Sequence, residues 1–272
     1  MKSIQESCPD LLRTNRLSSP KTSLEVQVQR YNEEEGTLKG NDCSLCKNKG
    51  YIMILDEGYT ALQPCECQKN RQNKVIIERS GMKGLIADYT FENFNTKEMW
   101  QRIIKEKAQA FILDQGHWFF IGGQVGSGKT HICTAIVNEL MNQGKETLYM
   151  LWRNEIVKLK ANSMEGPEYQ KTIQAYKIVK VLYIDDLFKT EKGKSPTTAD
   201  INIVFEILNT RYQNRNLITI ISSEKNIKEL IAIDEAIGSR IFEMAGDYCV
   251  QIKNNDRMNM RMRERNLYEQ IP

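Results

Sequence analysis

The sequence predicts an α/β fold: a five-stranded, mostly parallel sheet covered by helices on both faces, preceded by a small cysteine-bearing module. Three observations carry that expectation. From about residue 95 onward, short apolar runs alternate with segments whose apolar residues recur at helical spacing, the pattern of strands joined by crossover helices. One such run, 117–121, leads into a glycine-rich loop and then a helical pattern over 131–142. Four of the seven cysteines fall within residues 43–67, ahead of all of this.

Along the chain, residues 1–40 are polar, with a helical pattern at 23–35 and a first half that reads as loosely ordered. Residues 41–70 are turn-rich, and a helical piece at 69–80 is broken by Gly81 and Gly84. The segment Tyr89-Thr90-Phe91-Glu92-Asn93-Phe94 sets aromatics into a polar linker and is expected to dock on the α/β domain C-terminal to it. Candidate strands are 117–121, 147–151, 180–184, 217–221 and 248–252. The polar connection 189–198, with Gly193 and Pro196, reads as mobile. This organisation divides the chain into residues 1–88 and 89–272.

Composition sets bounds. A chain of 272 residues holds one sizeable α/β domain and a smaller companion. A formal net charge of +3 is too small to announce a nucleic-acid partner by itself. No apolar run approaches membrane-spanning length and residues 1–20 are polar, without a signal-peptide core, so a cytoplasmic protein with no membrane partner is expected. In that compartment clustered cysteines point to a metal rather than to disulfides.

Residues 123–130 read Gly123-Gln124-Val125-Gly126-Ser127-Gly128-Lys129-Thr130, a complete G-x-x-x-x-G-K-[ST] phosphate-binding loop. Its glycines let backbone amides close on an anion, with His131 next in line. The Lys129 ammonium is expected at the β- and γ-phosphates of ATP, and the Thr130 hydroxyl on Mg²⁺. Some 55 residues on, Val181-Leu182-Tyr183-Ile184-Asp185-Asp186 is an apolar strand ending in two acids, at the sheet edge where α/β folds open their ligand crevice. Asp185 is placed to hold the magnesium, directly or through water, and Asp186 to orient the attacking water as a general base.

Cys43-x-x-Cys46 and Cys65-x-Cys67 are eighteen residues apart, with a hairpin-forming stretch around 50–54 between them. Four thiolates on two tight turns close a zinc tetrahedron with no open position, a structural site resembling a zinc ribbon. Lys47 and Lys49 offer nearby positive charge, and Gly50 suits the knuckle. Cys8, Cys133 and Cys249 read as ordinary thiols, while His117 and His131 read as polar contacts rather than metal ligands. Near the C-terminus, Arg257, Arg261 and Arg265 fall at helical spacing beside Met258 and Met262. That row reads first as a solvated helix face, and alternatively as a track for phosphates. A helical stretch over 152–177, with Lys158, Lys160 and Lys171, is a second candidate surface.

In this order the cysteines, the aromatic linker, the loop at 123–130, the strand ending in Asp185-Asp186, Asn209-Thr210-Arg211-Tyr212, Ser222-Ser223-Glu224 and Gly238-Ser239-Arg240 resemble replicative helicase loaders of the DnaC/DnaI type, AAA+ ATPases with an N-terminal zinc domain. The resemblance covers residues from about 43 to 252. It implies that the zinc module grips a hexameric replicative DNA helicase, and that the ATPase domain binds single-stranded DNA and couples nucleotide state to loading. It further implies that Ser223 or Glu224 senses the γ-phosphate, and that Arg240, at a helix start, reaches a neighbouring subunit on self-association. The helices within 152–178 would touch single strands. Glu224 stands where loaders commonly carry Asn, and Asp186 where many relatives carry Glu, departures that bear on hydrolysis more than on binding. Two other readings are a transposase helper ATPase, which generally lacks such cysteines, and a nucleotide-gated adaptor that binds without hydrolysing.

Overall fold

The computed structural model describes residues 22–39, 42–77, 85–114, 117–161, 166–253, 255 and 258–263. Two compact units divide after Gln68, earlier than the join at 88/89 expected from the sequence.

In the first unit, α1 (Ser23–Glu33) begins at a capping box in which Thr22 and Glu25 bond each other's backbone amides. It packs on β1 (Tyr51–Asp56) through Asn32, whose amide side chain takes both backbone groups of Met53, at 2.8 and 2.9 Å. Strand β1 pairs antiparallel with β2 (Tyr59–Pro64), Asp56 opposite Tyr59. The turn between them is Glu57-Gly58, both at positive φ (43° and 88°), which matches the twist of a two-residue hairpin. Helix α2 (Cys67–Ile77) starts at the fourth cysteine, two residues before the sequence pattern placed it.

The second unit is a five-stranded sheet in the order β4-β5-β6-β3-β7, every neighbouring pair parallel. The strands are β3 (Trp118–Gly123), β4 (Thr147–Leu151), β5 (Val181–Asp185), β6 (Ile218–Ser223) and β7 (Cys249–Ile252), each within two residues of its expected bounds. Side-chain alternation supplies both faces of the sheet with apolar groups. Phe119 and Ile121 of β3, Tyr183 of β5 and Ile220 of β6 pack with α4 (Met99–Leu113) and α5 (Lys129–Asn142). Trp118, Phe120, Leu182 and Ile221 pack on the other face with α6 (Trp152–Ala161), α7 (Pro167–Ile178), α8 (Thr198–Gln213), α9 (Ile227–Ile233) and α10 (Glu235–Ala245).

The aromatic linker docks as expected. Phe91 and Phe94 are buried against α5, and Asn138 of α5 donates to the carbonyls of Ile86 and Tyr89 at 2.7 and 3.2 Å, which ties α3 (Leu85–Asp88) to the same helix. These bonds explain why residues 85–88 go with the second unit. At the opposite end of the sheet, Arg211 of α8 is fully buried. Its guanidinium donates to the carbonyls of Tyr176 (3.0 Å), Val179 (2.9 Å) and Ile218 (2.6 Å) and to the Thr219 hydroxyl (2.9 Å). Two of those carbonyls end α7, where a helix leaves unpaired acceptors that favour a cation. Past β7, α11 (Met260–Arg263) returns to the glycine-rich loop, and the Met260 amide donates to the Gly126 carbonyl at 2.9 Å. Arg257 and Arg265 of the expected arginine row lie outside the described residues.

Candidate functional site

The loop at 123–130 leaves β3 at its C-terminal end and runs into α5. Gly123 has φ +110°, and a Cβ there would lie 2.0 Å from the Ile252 carbonyl oxygen of β7, so only glycine fits. Gly128, at φ +86°, turns the chain into the first residue of α5, which aims that helix's unpaired amides into the loop. Lys129 is buried, and its ammonium donates to the loop's own Gly123 and Gln124 carbonyls at 2.9 and 2.8 Å. Burial lowers its pKa, and the charges of Asp186 and Glu224 work against that shift. Ser127 closes the loop on the Gln124 carbonyl at 2.8 Å.

Strand alternation places the two acids. Tyr183 and Asp185 share the face toward α5, which brings Asp185 to Thr130, whose hydroxyl donates to Oδ1 at 3.2 Å. Asp185 is buried among hydroxyls: Tyr183 donates to Oδ1 at 2.7 Å, Tyr149 to Oδ2 at 3.0 Å, and Ser222 makes a short bond to Oδ1. Burial raises its pKa, while the Ser222 and Tyr183 hydroxyls hold the shift back. Thr130 and Asp185 thus present two oxygens side by side at the loop, the donor set a magnesium ion takes. Asp186 follows at φ +58°, which turns its side chain out of the strand register. Its carboxylate pairs with Lys189 at 2.7 Å, and Lys189 also pairs with Glu224 at 2.8 Å.

A cavity of about 420 Å³ joins the loop to Asp186, Lys189 and Glu224, with Asp185 buried behind Thr130. Val125 to His131 line one side, Asp186, Lys189 and Glu224 another, and Met260 and Arg261 of α11 a third. Tyr89 and Phe94 of the linker complete it. His131 stacks on Tyr89 (centroids 4.6 Å apart, planes at 8°) and shares a 2.9 Å hydrogen bond with the Thr90 carbonyl. Burial lowers its pKa, so the ring is neutral at physiological pH and forms an aromatic wall of the pocket.

Two expected residues sit elsewhere. Ser223 alternates to the opposite sheet face from Ser222, is fully buried, and donates to the Leu187 carbonyl at 2.8 Å instead of facing the cavity. The serine at the acid is Ser222, and the parity of β6 relative to Asp185 was the sequence signal for it. Arg240 lies inside α10 rather than at its start, with Nη1 on the Ala236 carbonyl at 2.9 Å and its guanidinium over the rings of Phe205 and Tyr212 (5.0 and 5.4 Å). Lys189 and the tyrosines behind Asp185 carry no sequence motif. Of the three lysines on α6 and α7 singled out as a candidate surface, Lys158 pairs with Glu155 and Lys160 with Asp200, while Lys171 is exposed; Lys177 pairs with Glu206.

In the first unit, one ligand atom from each of Cys43, Cys46, Cys65 and Cys67 lies within 4.8 Å of the others. The sulfurs of Cys43 and Cys65 are 3.7 Å apart, and those of Cys46 and Cys67 3.5 Å. A tetrahedron with metal–sulfur bonds of about 2.3 Å has edges of about 3.8 Å, so the cluster fits a zinc ion. Lys47 and Asn48 at positive φ shape the knuckle, and the Gly50 amide points at the Cys46 sulfur, 3.3 Å away. Against the cost of burial, that amide and the neighbouring thiols draw Cys46 down to about 6, while burial pushes Cys65 up to about 12. The nearby lysines bind α1 instead, Lys47 to the Glu33 carbonyl at 3.0 Å and Lys49 over the Tyr31 ring at 4.3 Å.

The profile of the family described as IstB-like ATP binding protein matches residues 34–266, a span that takes in the cysteine cluster and the whole sheet. The phage-like element PBSX protein XkdC of Bacillus subtilis (strain 168) is 32% identical, over 78% of this chain and 82% of its own. Among solved structures, the DnaC helicase loader superposes with a TM-score of 0.53 at 18% identity, over 62% of this chain and 98% of that one. DnaI does so at 0.51 and 20%, over 63% and 93%. AMPPCP-bound DnaA from Aquifex aeolicus gives 0.50 at 23%, over 63% of this chain but only 52% of DnaA. These likenesses establish the AAA+ P-loop fold. With that fold, a complete phosphate loop and a family profile spanning most of its length, the chain belongs to the IstB-like ATP-binding protein family.

Proposed function

We propose that this protein is an ATP-dependent loader of a hexameric replicative DNA helicase, acting in the cytoplasm. One observation carries the reading: a metal-ready four-cysteine module forms a compact unit of its own, ahead of an ATP-binding unit whose Thr130 and Asp185 are already paired. In this proposal zinc closes the cysteine cluster, and the first unit grips the helicase. The second unit binds ATP and single-stranded DNA. Lys129 leaves its two loop carbonyls for the β- and γ-phosphates, and Thr130 and Asp185 hold Mg²⁺. Magnesium, when bound, neutralises phosphate charge.

Asp186 then orients the attacking water. Its ion pair with Lys189 holds it back in the free protein, so hydrolysis is weak until partners assemble. Arg240 is absent from its own chain's cavity, as a residue serving a neighbouring subunit must be, and reaches that neighbour on self-association. Within the described residues no helix is long and apolar enough to cross a membrane.

The test is light scattering of the full chain mixed with the hexameric replicative helicase of its source, with ATP, with ADP, and with Lys129→Ala. A nucleotide-sensitive complex that is lost on zinc removal supports the loader. If no complex forms under any nucleotide, the loader reading fails and a transposition helper, assayed as DNA-dependent oligomers, takes its place. A complex whose loading activity survives Asp186→Ala identifies a non-hydrolysing adaptor.

A further inference from the structure

The cavity contains an electrostatic problem that the phosphate loop does not solve. Asp186 and Glu224 both face the space beside Lys129, and both act on that lysine's charge. The terminal phosphate of a bound triphosphate brings further negative charge to the same place, and like charges at such distances repel. The chain's answer is Lys189, whose ammonium sits between the carboxylates at 2.7 and 2.8 Å.

Its position is built rather than incidental. The turn after β5 carries two non-glycine residues at positive φ, Asp186 (58°) and Phe188 (57°), a conformation that persists only where the surroundings enforce it. Here Ser222 receives the Asp186 amide at 2.9 Å, the Leu187 amide bonds the Ser222 carbonyl at 2.8 Å, and Ser223 holds the Leu187 carbonyl. Phe188 is fully buried, edge-on to Trp152 at 5.5 Å. The turn closes with the Lys189 amide on the Asp186 carbonyl at 3.0 Å, and so returns the lysine toward the pocket. Against partial burial, the two carboxylates raise the lysine's pKa, so it is charged throughout the physiological range.

We propose that Lys189 is the cation that lets this pocket hold a γ-phosphate beside Asp186 and Glu224, and that it thereby sets the preference for a nucleoside triphosphate over a diphosphate. A diphosphate places no charge at the γ position, so losing Lys189 penalises ATP more than ADP. The inference rests on ATP occupying the phosphate loop, and its test separates the two.

Fluorescent ATP and ADP analogues are titrated, with Mg²⁺, into the full-length wild type, Lys189→Ala, Lys189→Arg, Glu224→Gln and the Lys189→Ala/Glu224→Gln double variant, with Lys129→Ala as reference. Lys189→Ala is expected to lower the ATP-to-ADP affinity ratio about tenfold, and Lys189→Arg to retain most of it. The double variant recovers the ratio to within about threefold of wild type, because one of the stranded carboxylates is gone. A residue that only holds the turn together would show no such rescue. Glu224→Gln alone keeps Lys189 and raises the ratio, an arm that remains readable if Lys189→Ala folds poorly. A Lys189→Ala ratio within about twofold of wild type, or a loss that Glu224→Gln does not relieve, overturns the inference. If Lys129→Ala binds ATP as wild type does, the fault lies instead with ATP in the phosphate loop.

Discussion

Replacing Arg211 with Met tests whether a buried, carboxylate-free arginine holds the sheet together. Methionine keeps most of the stem volume but removes the guanidinium, stranding the Tyr176, Val179 and Ile218 carbonyls and the Thr219 hydroxyl inside the protein. Four hydrogen bonds to a charged donor contribute about 1.5–3 kcal/mol each, ~6–12 kcal/mol gross. Against this stands the cost of burying the cation, which draws the arginine's pKa down to about 9 and consumes several kcal/mol. The net loss is then ~3–5 kcal/mol, a large share of the stability of about 5–15 kcal/mol usual for a domain. For a unit of this size that lowers the melting temperature by about 10 °C. Urea unfolding followed by the fluorescence of buried Trp118 and Trp152 reads it directly. Arg211→Lys should recover little, since one ammonium cannot span those acceptors. A shift below ~1 kcal/mol would refute the reasoning. So would weakened ATP binding at temperatures where the variant is folded, because Arg211 lies at the far end of the sheet from the loop.

Three further outcomes are expected. Chelation, or Cys65→Ser, should release about one zinc per chain and unfold the first unit, read by a metal-sensitive dye and circular dichroism, with ATP binding changed less than about twofold. Thr130→Ala should weaken magnesium-dependent ATP binding about tenfold or more while leaving magnesium-free binding closer to wild type, measured by titration with and without chelator. Because burial raises Asp185 above its ordinary 3.8, the folded state keeps that proton more tightly than the unfolded chain. Its share of stability therefore grows as pH falls from the raised value toward 3.8, while magnesium-dependent ATP affinity falls over the same window. Magnesium dependence that persists down to pH of about 4 would contradict this.

Period and punctuation made most of the fold legible in the sequence. Both faces of the sheet are apolar, so the strands stood out as continuous runs, and the glycines of 123–130 marked a loop whose backbone only they can adopt. The cysteine spacing likewise announced two knuckles around a hairpin. Side-chain direction at strand ends was harder. Of the two residues offered for the γ-phosphate, Glu224 lines the cavity and Ser223 does not; counting back from Asp185 across the parallel pair β5 and β6 puts Ser222 at the acid and turns Ser223 to the other face. Arg240 was misplaced because the capping residue Asp234 starts its helix a turn and a half earlier than the Gly-Ser-Arg pattern suggested. The place of Lys189 depends on a turn with two positive-φ residues, one of them Phe188, and the hydroxyls around Asp185 on the order in which three strands lie side by side, neither of which a sequence motif marks.

The adjacent acids show how one dipeptide is given two chemistries. Asp185 is the last residue in strand register, so it faces α5 and is enclosed by neutral hydroxyls, in surroundings that cost its charge something to keep. A metal ion relieves that cost, which favours magnesium at this position over a bound proton. Asp186 has left the register through its positive φ and meets a lysine, so its charge is compensated without a metal. In the proposed reaction, Asp186 becomes free to accept a proton from water when that lysine has another anion to hold. Environment rather than residue type thus separates the proposed metal ligand from the proposed base, and the separation depends on the backbone turn that Ser222, Ser223 and Phe188 keep in place.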